Sequence, residues 1–261
     1  MLFETDDLYY YHLKKIIDNK GKFTIFKLWD KHFKDTGNKY TYTNFNTLKT
    51  FNDILNLKND YYTRKLQIKE NETLENITQA LEITKNIEGD YLEIGVLLGS
   101  SACTALTYMQ NTNIKRKSYF LDTYCGFHYE EANNSCAVHW DKTHKIDEPH
   151  IVINKIKNNL SHIKNIDFKL IKNNIISDEL PSEIKKIVVA NIDVDIYEGV
   201  YAAIIKVAPL ISKNGIIICE DATSTPGLIG AYFAMEKFLK SDMGKNFIKI
   251  FMRSQYFLIR I

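Results

Sequence analysis

A chain of 261 residues, 45% hydrophobic and 25% charged, is long enough for one large α/β domain with an extension and has the composition of a soluble globular protein. Its net charge of +2 is too small to favour nucleic acid or an anionic membrane as the main partner. The N-terminal residues lack the features of a signal peptide, no apolar run approaches the ~18 residues of a membrane span, and the four cysteines fit a reducing compartment. We therefore expect a cytoplasmic protein that binds neither nucleic acid nor a membrane.

Residues 1–85 are polar, rich in aromatic side chains and predicted to be helical. The spacing of apolar residues predicts helices over residues 8–17, 24–33, 44–55 and 74–87. Thr73 is predicted to cap the last of them. We expect a helical extension or lid on the substrate side rather than an independent domain.

Residues 86–261 alternate between predicted strands and helices, which is typical of a parallel sheet. Strands are predicted over residues 91–96, 118–121, 167–171, 186–192 and 215–219. Helices are predicted over residues 101–110, 150–160, 182–185, 200–211 and 228–240. Two closing strands, residues 247–252 and 255–261, are joined by two residues, which permits an antiparallel hairpin. The predicted fold class is α/β, a Rossmann-like, mostly parallel seven-stranded sheet with an antiparallel C-terminal hairpin.

The first predicted strand carries Glu93 and leads into Gly95 and Gly99, which are followed by Ser100 and Ser101. A strand, a glycine turn and a helix N-terminus together form a nucleotide-sized crevice, and glycine lets a ligand approach the backbone. The spacing lacks the G-x-G-x-x-G of dinucleotide enzymes, which disfavours an oxidoreductase. A carboxylate beside the turn would repel a diphosphate but suits an ammonium group. The alternative is an ordinary turn in which Ser100 caps the helix.

The second predicted strand ends at Asp122, followed by Thr123. An acidic residue about 20 residues beyond the glycine turn is placed to accept hydrogen bonds from ribose hydroxyls. The alternative is a strand-end aspartate that caps the next turn. In combination with the glycine turn, we favour ribose binding.

Acidic residues follow two neighbouring predicted strands: Asp193 and Asp195 follow one, and Glu220 and Asp221 follow the next. Parallel strands would bring these carboxylates to one edge of the sheet, where they repel unless a cation or a shared proton compensates. Ligand sets made of oxygen alone favour Mg²⁺, Mn²⁺ or Ca²⁺ over Zn²⁺. Such an ion would bind a substrate hydroxyl and lower its pKa. The alternative is a set of solvated acids at strand ends.

Five segments between residues 89 and 238 resemble the macrocin O-methyltransferase family, class I methyltransferases that methylate sugar hydroxyls with the help of a divalent metal. The segments are residues 91–101, 121–127, 178–181, 192–198 and 214–221. The resemblance implies a metal site, for Mg²⁺ or Mn²⁺, at Asp193, Glu220 and Asp221. Glu220 stands where the family usually has aspartate, so its longer side chain is expected to shift the ion or to lose direct contact with it.

The resemblance also implies S-adenosylmethionine as the methyl donor. The residues expected to bind it are Glu93, Gly95, Gly99, Ser100, Ser101, Asp122, Thr123 and Asn174. Four histidines lie in the long segment of residues 125–149 or next to it, and His139, beside Trp140, is the predicted general base. Asp193 is the rival base, and a surface position is the alternative for any single histidine.

The family resemblance and an AT-rich bacterial composition suggest a nucleotide-linked sugar as acceptor, such as a GDP-heptose in capsular polysaccharide synthesis. A macrolide or other antibiotic sugar and a catechol-type acceptor are the rivals with the same core. A non-catalytic nucleotide-binding module would not need the crowded carboxylates, so we disfavour it. The sequence is also compatible with a homo-oligomer.

Overall fold

A computed structural model of the chain describes residues 44–67, 71–127, 129–133, 144–224 and 229–261. The helices predicted over residues 8–17 and 24–33, and the predicted base His139, lie outside these residues. Within the described part of the chain, no helix combines the length and apolar character needed to cross a membrane.

One seven-stranded sheet organises the described residues, with the strand order β3-β2-β1-β4-β5-β7-β6. The strands are β1 (Asp90–Ile94), β2 (Ser118–Asp122), β3 (Phe168–Lys172), β4 (Ile187–Ile192), β5 (Ile211–Cys219), β6 (Phe247–Met252) and β7 (Gln255–Arg260). Strands β1 to β5 run parallel, and β7 runs antiparallel to both β5 and β6. The predicted mostly parallel sheet with an antiparallel C-terminal hairpin is confirmed.

Nine α-helices are described, counted within the residues given above: α1 (Phe45–Asn56), α2 (Asp60–Gln67), α3 (Asn71–Ile83), α4 (Ser100–Thr112), α5 (Glu130–Asn133), α6 (Pro149–Asn159), α7 (Tyr197–Val207), α8 (Asp221–Ser224) and α9 (Ile229–Leu239). The helix predicted over residues 182–185 is wrong, since this segment is a turn. The prediction of one helix over residues 200–211 is also wrong at its end. Helix α7 stops at Val207, one 3₁₀ turn (Ala208–Leu210) follows, and β5 begins at Ile211. Pro209 lies in this turn and has no backbone N–H to continue the α-helical hydrogen bonds.

Helix α1 agrees with the predicted helix over residues 44–55, and Asn44 caps it by accepting a hydrogen bond from the Thr47 backbone N–H at 2.9 Å. Helix α2 was not predicted, because its sequence is mostly polar. The Asn59 side chain caps the start of α2 by accepting hydrogen bonds from the backbone N–H groups of Tyr61 and Tyr62. Tyr62 and Leu66, four residues apart on one face of the helix, are both 1% exposed.

Helix α3 begins at Asn71 and ends at Ile83, so the predicted cap at Thr73 and the predicted end at residue 87 are wrong. Thr73 lies in the first turn. Beyond the other end, the Thr84 backbone carbonyl accepts hydrogen bonds from the Ile87 backbone N–H at 2.8 Å and from the guanidinium of Arg116.

Two apolar layers cover the two faces of the sheet. Helices α1 to α4 and α6 bury side chains on one face, and helices α7 and α9 bury theirs on the other. The N-terminal helices share a core with the sheet through residues such as Phe51, Tyr62 and Leu81, which pack in the same cluster as Tyr91 and Phe120. That residues 1–85 also act as a lid stays a prediction.

Candidate active site

A cleft of about 760 Å³ opens at the carboxyl ends of the parallel strands. The predicted site residues that line it are Gly95, Ser100, Ser101, Asp122, Thr123, Asn174, Asp193, Glu220 and Asp221. Glu93 and Gly99 are close neighbours of this lining but are not part of it. Six of the eight residues predicted for the cofactor therefore share one cavity with the three predicted for the metal, as the topology of parallel strands leads us to expect.

Gly95 lies at the end of β1 with φ +91°, and its backbone touches β4 rather than open space. A Cβ built there would lie 1.7 Å from the backbone carbonyl oxygen of Asp193. The Asp193 N–H also donates to the Ile94 carbonyl at 2.9 Å. The close approach that needs glycine is thus one between two strands, which differs from the ligand approach expected from the sequence.

Gly99 is the N-terminal cap residue of α4 and has φ +82°. Ser100 is the first helical residue, so the alternative in which Ser100 caps the helix is wrong. The Tyr62 hydroxyl donates to the Leu98 carbonyl at 3.2 Å, which ties the turn to α2. The N-terminus of α4 faces the cleft through Ser100 and Ser101.

Glu93 is fully buried beneath the glycine turn. Its carboxylate accepts hydrogen bonds from the Tyr91 hydroxyl at 2.8 Å and the Ser101 hydroxyl at 2.6 Å, and the Asn191 amide is a third donor. Burial raises the pKa of the Glu93 carboxyl to about 7, although these donors oppose the rise. Glu93 thus contacts Ser101, which lines the cleft, and does not line the cleft itself. A direct contact of Glu93 with an ammonium group, expected from the sequence, stays a prediction.

Asp122 holds the loops that frame the cleft. Its Oδ2 accepts hydrogen bonds from the backbone N–H groups of Val96 at 2.6 Å and Leu97 at 2.9 Å, and its Oδ1 accepts one from Tyr124 at 2.6 Å. The turn-capping role that the sequence left open is therefore present. Asp122 also lines the cleft, so ribose binding stays a prediction for the same side chain.

Two neighbouring asparagines follow β3 in the cleft. The predicted Asn174 donates from its side-chain amide to Glu131 at 3.1 Å. Its neighbour Asn173 was not predicted to belong to the site. Its amide nitrogen donates to the Glu179 carbonyl at 3.1 Å, but its amide oxygen is buried without a hydrogen-bond partner among the residues that the structure describes. A buried acceptor of this kind is costly unless a ligand or water supplies a donor.

Three aspartates converge at the ends of β4 and β5. One carboxylate oxygen from each of Asp193, Asp195 and Asp221 lies within 4.8 Å of the others. Asp195 adopts φ +58°, an uncommon backbone conformation for a residue other than glycine. Glu220 lies in the same cleft and repels Asp193 and Asp195 electrostatically, but it is not a member of this close group. Asp195 is therefore the closely placed acid that the predicted metal set omitted, although its D-x-D spacing with Asp193 was visible in the sequence.

Burial is the main cause that raises the pKa of the Asp193 and Asp195 carboxyls, and repulsion from Asp221 adds to it. Burial and repulsion from Asp193 raise the pKa of Glu220 in the same way. Lys65 opposes the rise at Asp193. The donor set is entirely carboxylate oxygen, and a divalent cation would compensate its charge, so these residues fit a hard ion such as Mg²⁺, Mn²⁺ or Ca²⁺.

Among the histidines of the long segment, His144 lines the cleft and packs against Phe127 with ring centroids 6.1 Å apart. Nothing in the sequence favoured His144 over His139. The role of His139 as general base stays a prediction. A further wall, also missed, comes from α2, the first turn of α3 and the β6–β7 turn. Its lining residues are Lys65, Glu72, Thr73, Leu74, Arg253 and Ser254.

Comparisons with known proteins agree with this geometry. Residues 30–256 match the macrocin-O-methyltransferase (TylF) family. No curated protein matches the chain at a significant level.

Among solved structures, the O-methyltransferase NovP is 18% identical with a TM-score of 0.59, over 72% of this chain and 79% of NovP. CalS11, a TDP-rhamnose 3'-O-methyltransferase of calicheamicin biosynthesis, is 16% identical with a TM-score of 0.53, over 81% of this chain and 93% of CalS11. A putative caffeoyl-CoA O-methyltransferase from Staphylococcus aureus is 14% identical with a TM-score of 0.51, over 84% of this chain and 100% of that chain. At these identities the likeness shows the fold, which is that of class I methyltransferases. Because the family match spans residues 30–256, the chain belongs to the macrocin O-methyltransferase family and is an S-adenosylmethionine-dependent O-methyltransferase.

Proposed function

We propose that the protein transfers the methyl group of S-adenosylmethionine to a sugar hydroxyl with the help of a divalent cation. The observation that carries this proposal is the shared cleft, in which the glycine turn at Gly95 and the carboxylates of Asp193, Asp195 and Asp221 open on the same cavity. A volume of about 760 Å³ is within the range of pockets that hold a drug-sized ligand and leaves room for a cofactor beside a sugar ring.

The residues that would hold the cofactor follow β1, β2 and β3 in the cleft. Ser100 and Ser101, at the N-terminus of α4, suit the carboxylate of its amino-acid end. Asp122 and Thr123 lie beside the ribose, and the amide oxygen of Asn173, next to Asn174, accepts from the amino group of the base. The support for this placement is that each of these side chains lines the cleft, and that the Asn173 oxygen is buried without another donor among the described residues.

The metal site comprises Asp193, Asp195 and Asp221, with Glu220 beside it. A divalent cation held there supplies positive charge that lowers the pKa of an acceptor hydroxyl. The protein itself orients the two substrates, because the ends of β1 and β4 are fixed to each other. The Asp193–Ile94 hydrogen bond and the contact between Gly95 and Asp193 fix them. The proton leaves to a carboxylate oxygen of Asp193 or to His139, which stay the two candidate bases.

The acceptor we propose is a nucleotide-linked sugar, such as a GDP-heptose used for a capsular polysaccharide. The family supports a sugar, and CalS11, by its name, methylates a sugar carried by a nucleoside diphosphate. An antibiotic sugar is the second candidate, because macrocin O-methyltransferase gives the family its name. A catechol-type acceptor is third, since its support is the fold of a structure that is 14% identical.

The test is a screen for transfer of radiolabelled methyl groups from S-adenosylmethionine. The acceptors are GDP-, UDP- and TDP-linked sugars, the corresponding free sugars, a macrolide glycoside and a catechol, each with and without Mg²⁺. We expect label in a nucleotide-linked sugar and dependence on the metal. Label in the catechol alone, or equal transfer to every acceptor without metal, would overturn the proposal.

A further inference from the structure

The wall of the cleft beyond β5 comes from parts of the chain that are far apart in sequence. Strand β7 pairs antiparallel with β5, and Tyr256 lies opposite Cys219. The β6–β7 turn, Arg253 and Ser254, therefore lies at the same sheet edge as Asp221. Across this edge, β1 to β3 carry the cofactor residues, β4 and β5 carry the carboxylates, and the turn lies on the far side.

The turn is fastened to α3 by buried hydrogen bonds. The Asn76 side-chain amide donates to the Met252 carbonyl at 2.8 Å and to the Gln255 side-chain oxygen at 2.8 Å, and both Asn76 and Gln255 are fully buried. The Arg253 guanidinium donates to Glu75 at 2.8 Å. These contacts fix the position of Arg253 relative to the cleft.

Arg253 occupies a strained backbone position, with φ +54° in a turn of two residues. Glycine, asparagine or aspartate is favoured at such a position of a hairpin. An arginine at such a position costs roughly 1–2 kcal/mol, and its side chain forms the ion pair with Glu75.

The cleft contains two strongly basic side chains among the residues described, Arg253 from the turn and Lys65 from α2. The ion pair with Glu75 uses one of the five N–H donors of the guanidinium, and 42% of the Arg253 side chain stays exposed. Lys65 lines the cleft, where its ammonium lies 5.7 Å from the centre of the Tyr61 ring and interacts electrostatically with Asp193.

We propose that Arg253 and Lys65 form an anion subsite that binds the phosphate of a phosphorylated sugar acceptor. A guanidinium matches phosphate oxygens in a bidentate geometry, and an ammonium adds a point charge. Strand β7 is the neighbour of β5 on the side away from β1, and neighbouring strands are about 4.8 Å apart. The turn is therefore within reach of a phosphate on a sugar whose hydroxyl lies at the β4–β5 carboxylates. This inference rests on the proposed function, since it takes the ligand of this wall to be the acceptor.

The test is calorimetric titration of the full chain, saturated with S-adenosylhomocysteine so that the cofactor end is filled. The probes are GDP, inorganic pyrophosphate and a sugar 1-phosphate, which separate a nucleotide-linked acceptor from a simple sugar phosphate. We expect GDP to bind, and Arg253→Gln or Lys65→Gln to weaken binding about tenfold to a hundredfold, the effect of losing a charged hydrogen bond. Arg253→Lys, which keeps the charge, should retain part of the affinity.

Lys49→Gln is the matched control, because it removes the same charge from α1 at a position outside the cleft. Arg253→Gly is a second variant that suits the turn, so a folding defect of Arg253→Gln does not obscure the result. Affinity for S-adenosylhomocysteine should be equal in every variant.

The subsite is wrong if GDP binds the Gln variants as tightly as the wild type, or if neither GDP nor pyrophosphate binds the wild type saturated with S-adenosylhomocysteine. The proposed function fails separately. If GDP binding depends on Arg253 but no sugar is methylated, the anion subsite stands and the sugar acceptor is wrong. If the wild type and Arg253→Gln methylate nucleotide-linked sugars with the same KM, the proposed function stands and the anion subsite is wrong.

Discussion

The backbone carbonyl of Asp193 occupies the space that a side chain at Gly95 would need, since a Cβ there would lie 1.7 Å from this oxygen. The glycine of the cofactor turn and the first aspartate of the acidic cluster are therefore in direct contact. The proposed cofactor and metal sites therefore cannot shift independently at this point, and catalysis by orientation would benefit from such rigidity.

Substitution at the two glycines of the turn should have unequal effects. Gly95→Ala must displace the backbone of Asp193, and we expect a loss of about 4 kcal/mol or more in the free energy of unfolding. In Gly99→Ala the nearest atom is a methyl group of Ile156 at 3.0 Å, and the positive φ costs about 1–2 kcal/mol. Urea unfolding of both variants measures the difference. Equal losses would contradict the contact between β1 and β4.

The acidic cluster should behave as a site that is kept for function at a cost in stability. Asp193→Asn and Asp221→Asn should abolish methyl transfer and leave the affinity for S-adenosylhomocysteine within about threefold, a difference below 1 kcal/mol. Without metal, both variants should be as stable as the wild type or more stable, because one of the repelling carboxylates is neutral.

The measurement is the thermal unfolding midpoint with and without Mn²⁺. Mn²⁺ should raise the midpoint of the wild type by binding the native state, and should raise that of the variants much less. Glu198→Gln is the control, because it neutralises an acid on α7 that is outside the cleft lining. An equal response to Mn²⁺ in all four proteins would rule out the proposed ligands.

Asp122→Asn should weaken cofactor binding through the loops rather than through one contact. The substitution replaces one carboxylate oxygen by an N–H₂ group, which cannot accept the backbone hydrogen bonds of Val96, Leu97 or Tyr124. Each hydrogen bond to a charged acceptor contributes about 1.5–3 kcal/mol. We expect S-adenosylhomocysteine to bind at least tenfold more weakly, and hydrogen exchange of the Val96 and Leu97 amides to accelerate. Unchanged exchange with weaker binding would assign Asp122 to ribose contact alone.

Glu93 should make stability depend on pH between its ordinary pKa of 4.5 and its buried pKa of about 7. In this window the folded protein keeps a proton on Glu93 that the unfolded chain releases, so the stabilising contribution is complete below pH 4.5 and is lost as the pH rises to 7. Relative to Glu93→Gln, the free energy of unfolding of the wild type should fall by on the order of 3 kcal/mol across it. Denaturant titrations at several pH values measure this, and parallel curves for both proteins would contradict it.

The sequence predicts most of the sheet because buried parallel strands are short apolar runs, such as Ile187–Ile192, that end at chemically distinctive residues. The order of the motifs along the chain then places Asp122, Asp193 and Asp221 at one edge. What the sequence does not reveal are contacts between remote segments. The placement of Asp195 depends on a left-handed backbone, and the position of Arg253 depends on hydrogen bonds with α3 that join residues 176 positions apart in the sequence.

Helix α2 shows the same limit at the level of local structure. Its apolar content is small, so periodicity gave no signal, yet Tyr62 and Leu66 are buried because α4 and α6 supply a surface for them. Tertiary packing rather than propensity stabilises such a helix.

The central claim, methyl transfer assisted by a divalent cation at the three aspartates, is tested most directly by metal removal and return. Transfer of labelled methyl groups to the best nucleotide-linked sugar should stop in EDTA, return with Mg²⁺ or Mn²⁺ in the wild type, and stay absent in Asp221→Asn at every metal concentration. Transfer that persists in EDTA and in Asp221→Asn would contradict the account.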